Sequence, residues 1–492
     1  MRKVQYSAAK KYLLQQHRED VAAILPAKLE NHGQSISDAS PFSSYKIILY
    51  NLSFLIFLSS VLIAPLFLGA LANWSWAMMG IGISISTILL ILSGQTQFLQ
   101  RRRIKALIFP LGCILIVLCW MFGQQLTVVN ITDNFSGLAA EALHQKLPMS
   151  ANPFETLLGI KRFIGYILVF LLAYYFAAQK QQARLMLRAV FIACILYSAY
   201  GIWQLFVDSN MLLGFHRPEY GGMLSGTLIS KNHFATLAAM GFFCGFWLLL
   251  EQKTSKSYGK IFKLEKLRNF LKKGIFDALG CCFLGLALIL TQSRAGFGSA
   301  AIVLVFSLLL AWKLGFFSLR SLVKTCVITL MIATVIYYLG GTGMNERFDN
   351  YLNHNPRADV MNVTFSMIAA FPLTGGGFGG FAELYKLFRP EGMTALYLDA
   401  HNIFLENIAE LGIPAATLLF ISIGWCGWRC FIGALKRKRS KNIPAAAFSV
   451  LLMVIFHGFF DSSLKIPAIT GIFLLIMAVG TAQSFNSREL GK

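Results

Sequence analysis

Four side chains raise the question of chemistry. His401 stands in "DAHNIFLENIAELGIP" (399–414), Arg294 in "TQSRAGFG", Arg357 in "NPRADVMNVTF" and Arg217 in "HRPEYGGMLSG". Arginine stays charged and presents a rigid fork of donors matched to phosphate oxygens, so several arginines on one face suit a diphosphate. An imidazole can take a proton from an attacking hydroxyl near neutral pH. Together they fit a transfer in which a hydroxyl attacks and a phosphate leaves, the arginines stabilising the charge that grows on the leaving group. A glycosyl transfer to an acceptor hydroxyl meets that description, although composition defines only an enzyme that handles phosphate. Asn232, Asn402, His457 and Asp461 are supporting candidates. The pattern holds no carboxylate-rich cage, so no metal is demanded and no cofactor is expected.

Each residue also has a plainer explanation. Arg217 fits an ordinary loop arginine, Arg294 a side chain snorkelling to lipid headgroups, and Arg357 a surface charge. His401 fits an interfacial histidine bonded to backbone, and His457 a structural hydrogen bond. Asn402, Glu406 and Glu410 recur at helical spacing and form one polar stripe, read as helix–helix glue or a water-facing edge. His401 projects away from that stripe, so it is not paired with the glutamates.

The elements that must position these groups are membrane helices. Hydrophobic residues make up 56% of the 492 and charged residues only 13%, with a mean hydropathy of +0.61, which excludes a soluble globular protein. Apolar runs of about 20 residues recur along the chain, each long enough to cross a bilayer. The fold class expected is an all-α polytopic membrane protein with twelve spans, near 47–68, 74–95, 106–123, 160–178, 189–207, 233–251, 275–292, 297–313, 324–340, 402–428, 443–460 and 466–485.

The net charge of +22 does not point to nucleic acid, because the basic residues follow membrane topology. Residues 1–46, "QRRRIK", "QKQQARLMLR", the 252–274 loop, "KLGFFSLRSLVK", "KRKRSK" and the C-terminus hold most of them, which places this set and both termini in the cytoplasm. Residues 1–46 read as a cytoplasmic tail, with an amphipathic surface helix as the alternative, and lack the pattern of a signal peptide. Residues 47–485 form the membrane domain, and 486–492 a short cytoplasmic tail. The nine cysteines fall in or beside apolar spans, which indicates neither a disulfide framework nor a metal site.

The outer loops are longer, and the one at 341–401 exceeds a simple connector. Its aromatics (Tyr351, Phe365, Phe371, Phe378, Phe381, Tyr385, Phe388) predict that it is folded. The candidate residues gather at outer ends of spans, whereas a transporter is expected to place its site near the midplane. A six-plus-six helix count keeps a transporter as the alternative, although no internal repeat is visible. "GGGFGG" (375–380) matches a dinucleotide fingerprint formally but lacks the strand and βαβ frame, so its glycines predict a tight turn and close backbone approach.

Five segments carry a resemblance to a family. "GTLISKNHFAT" (226–236), "TQSRAGFGS" (291–299), "PRADVMNVTFSMIAAFPLTGGGFGGF" (356–381), "DAHNIFLENIAELGIPA" (399–415) and "HGFFDSSLKIPA" (457–468) resemble the O-antigen ligase and O-antigen polymerase superfamily of bacterial envelope glycan assembly. The resemblance spans the C-terminal part of the chain, and the first 190 residues carry no recognisable motif. It implies a GT-C-like, inverting, metal-independent glycosyltransferase of the bacterial inner membrane, with its site facing the periplasm. Its donor would be a glycan on undecaprenyl diphosphate. The acceptor would be lipid A core for a ligase, or another lipid-linked glycan for an O-antigen, capsule or exopolysaccharide polymerase. By that match His401 is the acceptor-activating base, and Arg217, Arg294 and Arg357 engage the diphosphate. "RADVMNVT" departs from the family in lacking a tryptophan a few residues after the arginine.

Overall fold

The computed structural model describes residues 41–95, 101–126, 128–129, 147–207, 211–212, 215–216, 222–254, 274–316, 318, 320, 323–324, 356–391, 393 and 395–485. Arg217, the first 40 residues, Tyr351 and all but the first residue of the expected 324–340 span lie outside these. The architecture is helical. Its long helices are α1 (Pro41–Ile63), α2 (Asn73–Leu92), α3 (Arg101–Leu126), α4 (Pro153–Phe176), α5 (Lys180–Val207), α6 (Lys231–Thr254), α7 (Ile275–Leu290) and α8 (Arg294–Lys313). There follow α9 (Pro356–Ala370), α10 (Phe381–Phe388), α11 (Ile403–Lys436), α12 (Asn442–Gly458) and α13 (Pro467–Ala482). Two antiparallel ladders of two residues each add the only described strands, Val128–Val129 with Leu147–Pro148 and Met211–Leu212 with Phe215–His216.

Among the described residues, eight helices are long and apolar enough to cross a membrane, namely α1 to α6, α8 and α11; α7, α12 and α13 are shorter apolar helices. The expected spans and the helices differ mainly at their ends. Helix α5 starts at Lys180 and takes in most of "QKQQARLMLR", which the sequence suggests is a loop. These residues are good helix formers, and Arg184 and Arg188 are neutralised by Glu251 of α6 and Asp277 of α7, so the helix continues past its apolar stretch. Helix α4 starts earlier than expected because Asn152 caps it, accepting from Glu155 N at 3.0 Å, with proline at the first turn.

Helices α6, α12 and α13 form the centre, and almost every residue of α13 is buried. Small side chains such as Ala445, Ala446 and Ala447 let the backbones approach closely, as close packing in an apolar solvent requires. Buried hydroxyls tie neighbours together. Trp247 Nε1 of α6 donates to Ser449 Oγ of α12 at 2.9 Å, and Ser307 of α8 joins the same hydroxyl at 2.8 Å. Ser53 and Ser86 bond to each other's carbonyl oxygens at 2.7 and 2.8 Å, clasping α1 to α2.

The described part of the 341–401 loop, from Pro356 onward, is folded, as its aromatics predict. Helices α9 and α10 enclose Val360, Met367, Phe381, Tyr385 and Ala400 in a core of their own. The glycine segment does what its composition suggests. Helix α11 breaks at Gly412, whose φ of 77° and ψ of 161° are open only to glycine. The break strips Ala409, Glu410 and Leu411 of their helical partners, and buried carbonyls need replacements. Gly376 N donates to Ala409 O at 2.8 Å and Gly377 N to Glu410 O at 3.0 Å. Gln124 Nε2 of α3 reaches Glu410 O at 2.8 Å, and Trp120 Nε1 reaches Leu411 O at 2.9 Å. A Cβ on Gly375 would lie 2.3 Å from Glu410 O, so only a glycine loop can dock here.

Candidate functional site

The candidates collect at one end of the bundle, where the 356–402 segment meets α11. His401 is the last residue but one before that helix and has a left-handed φ of 48°. Asp399 sets this turn, accepting from His401 N at 2.9 Å while standing 3.0 Å from His401 Nδ1. Tyr397 packs edge-to-face against the imidazole at 6.1 Å. The imidazole thus has a carboxylate beside one nitrogen and remains a third exposed (33%). Sequence reasoning passed over Asp399, although its place two residues before the histidine is a readable signal.

Asn402 departs from the expected polar stripe. It is the N-cap of α11, accepting from Phe404 N and Leu405 N at 3.0 and 3.1 Å, and its Nδ2 donates to Phe459 O at 3.3 Å. The His401 turn is therefore stitched to the end of α12. Glu406 and Glu410 are buried and structural, and they hold loops rather than helices. Glu406 accepts from Ala400 N at 3.0 Å and Ser462 Oγ at 2.8 Å and pairs with Lys465 Nζ at 2.6 Å. Glu410 accepts from Phe381 N at 3.2 Å. Lys465 also donates to Leu398 O at 2.7 Å. Burial works against its charge, but Glu406 and Glu410 outweigh that and hold the ammonium above the ordinary lysine range.

Arg294 is the first residue of α8 and is exposed. Its turn is fixed by Ser293, which accepts from Gly296 N at 3.2 Å and donates to Asn232 Oδ1 at 2.8 Å. Asn232, at the start of α6, is thereby a support for the Arg294 turn. Arg357 lies half-buried in the first turn of α9, close enough to His457 for their charges to interact. Among the described residues neither arginine forms a salt bridge with a carboxylate. His457 and Asp461 are buried at the junction of α12 with the turn leading to α13; Asp461 stands 3.7 Å from His233 Nε2. The structure thus brings His401, Asn402, His457 and Asp461 onto contiguous segments, with Asn232 and Arg294 joined on an adjacent pair of helices.

Beyond the His401 turn a cavity of about 360 Å³ runs between α3, α4, α11, α12 and α13. Phe170, Phe420 and Phe473 line its apolar part, and Arg162, Glu406 and Lys465 its charged end.

No curated protein matches the chain. Residues 279–421, which run from α7 through the His401 turn into α11, match the O-antigen ligase family, and that segment supports the resemblance to the O-antigen ligase and polymerase superfamily.

Proposed function

We propose that the protein is a membrane glycosyltransferase that moves a glycan from undecaprenyl diphosphate to an acceptor hydroxyl. The observation that carries this reading is the Asp399–His401 pair at the mouth of α11, a partly exposed imidazole beside a carboxylate. In the reaction the acceptor oxygen attacks the anomeric carbon from the face opposite the diphosphate. The new C–O bond forms as the bond to the phosphate oxygen breaks, and polyprenyl diphosphate leaves with that electron pair. His401 takes the acceptor's proton, and Asp399 stabilises the imidazolium that results. Arg294 and Arg357 receive the growing phosphate charge, each worth a few kcal/mol when well placed. Arg217 is assigned to the same role by its motif alone.

An apolar cavity with a charged end suits a long lipid chain carrying a polar head, which supports a lipid-linked donor. Basic flanks at the opposite helix ends, such as "KRKRSK" after α11, support a periplasmic site in the inner membrane and cytoplasmic termini. A ligase acting on lipid A core is the reading adopted, and a polymerase would use the same residues.

Purified protein in bilayers, given undecaprenyl-diphosphate glycan and lipid A core, tests this. Glycan on the core, abolished in a folded His401→Ala variant, is the expected result. Lengthened lipid-linked glycan would identify a polymerase instead. Near-normal transfer by the variant would remove His401 from the mechanism, and donor crossing the bilayer without transfer would identify a transporter.

A further inference from the structure

Two cations line the cavity beyond the His401 turn, Lys465 and Arg162, and their circumstances differ. Lys465 is paired with Glu406 at 2.6 Å and donates to Leu398 O. Arg162, on α4, has no carboxylate partner among the described residues. Its Nη2 donates to Asn73 Oδ1 at 3.2 Å, and its guanidinium carbon lies 5.9 Å from the centre of the Trp76 ring. Both neighbours belong to the first turn of α2. Nε is buried without a partner, and Nη1 makes no hydrogen bond among the described residues. Arginine carries five donors and keeps its charge. A cation held in a membrane helix, facing a cavity and unmet by any carboxylate, marks a place for a ligand.

The rest of the lining indicates which ligand. On α4 the lining residues Glu155, Gly159, Arg162, Tyr166 and Phe170 recur at helical spacing and share one face. Polarity falls along that face. Arg162 stands about 10 Å along the axis from Glu155, and Phe170, two turns further in, belongs to the apolar part. The carboxylates of the lining are engaged or apart: Glu406 is held by Lys465, Glu410 accepts from Phe381 N, and Glu155 forms no ion pair among the described residues. Arg162 is therefore a free cation where polar lining gives way to apolar lining. A lipid phosphate has the same anatomy, an anion at the head of a long chain. Arg294 and Arg357 are not lining residues of this cavity, so a phosphate beside Arg162 is a different one from the phosphate they are assigned.

We propose that Arg162 binds the lipid-side phosphate of the polyprenyl diphosphate, the one next to the prenyl chain, with Asn73 and Trp76 holding the guanidinium. The inference rests on the glycosyl-transfer reading for its ligand. It makes Arg162 a residue of lipid binding, while Arg294 and Arg357 meet the glycan-side phosphate from which the sugar departs.

Three probes separate these roles. Affinity of the full-length protein in phosphatidylcholine nanodiscs would be measured for polyprenyl diphosphate, polyprenyl monophosphate and uncharged polyprenol. Arg162→Gln is expected to weaken both phosphate-bearing lipids about 10- to 100-fold, the worth of a charge-assisted hydrogen bond, and to leave polyprenol unchanged. A loss for polyprenol equal to the others, as a merely structural role would give, would overturn the proposal, and so would no loss at all. A loss for the diphosphate alone would put Arg162 on the glycan-side phosphate and overturn it too. The wild type offers a check that needs no variant: the monophosphate should bind at least 10-fold more tightly than polyprenol, and equal affinities would refute the assignment. Repeating the titrations with phosphatidylglycerol in the nanodisc distinguishes a polyprenyl phosphate from a bulk phospholipid. The difference between wild type and Arg162→Gln should persist, and its disappearance would show a general phospholipid site. Wild-type protein that binds both lipid phosphates through Arg162 but transfers no glycan would overturn the glycosyl-transfer reading and leave this one standing.

Discussion

At the residue scale, chemistry and structure are divided between neighbouring side chains. Asp399 stands 3.0 Å from His401 Nδ1 without being wholly buried. Asp399→Asn is expected to lower transfer about 10- to 1,000-fold with little change in thermal stability, because it alters the imidazole's tautomer and charge rather than its packing. A steady-state assay beside a melting curve checks this. Lys465 makes the opposite case. Lys465→Met leaves the buried Glu406 without its cation, a loss of about 2–3 kcal/mol once the lysine's partial exposure is allowed for. Because the folded-state pKa of Lys465 is raised, its contribution is complete below the unfolded lysine pKa and fades only as pH rises through the higher folded value. The lysine itself therefore stays charged to beyond about pH 9, and a change in the stability gap between wild type and Lys465→Met below that pH reports protonation of the buried carboxylates left without a cation, which denaturation at several pH values would show.

At the element scale, the break in α11 is the feature that holds the site. Nothing in the apolar pattern of "IAELGIPAATLLF" signals an interruption other than Gly412 and Pro414. The structure places the glycine loop of 375–380 into that break, and α3 closes it from the other side. Gly412→Ala would put a Cβ 2.3 Å from Leu373 O at a backbone angle closed to alanine. A destabilisation of about 2–4 kcal/mol is expected, with the 372–380 loop becoming protease-sensitive before the rest of the protein unfolds. Limited proteolysis and melting of the variant would measure it. A variant as stable and as resistant as wild type would show that the loop is held by other contacts.

At the scale of the whole molecule, the proposed orientation has a direct test. The His401 end and the "KRKRSK" end of α11 are separated by the length of that helix. Single cysteines at exposed Glu391 and Lys438 should react with an impermeant maleimide from opposite sides, Glu391→Cys in intact spheroplasts and Lys438→Cys only after lysis, against the unmodified chain as background. Labelling of both from one side would overturn the topology. The match over 279–421 covers the turns that carry Arg294, Arg357 and His401 but ends before His457.

The sequence by itself determined the class of molecule and the residues at issue. Long apolar runs must become helices in a bilayer, because no other open structure satisfies their backbone, and a folded segment before α11 was readable from its aromatics. Motif spacing picked out His401, Arg294 and Arg357. What only the tertiary structure decided is who partners whom. Helix ends ran past the apolar runs because Arg184 and Arg188 found carboxylates on other helices. Glu406 proved to be a clamp because Lys465, 59 positions away by numbering, meets it. The hydroxyl of Thr236 meets the imidazole of His457, 221 positions further along the chain. Hydrogen-bond partners so remote leave no periodic trace in a sequence; they exist only once close packing has brought polar groups out of water and obliged each to find another.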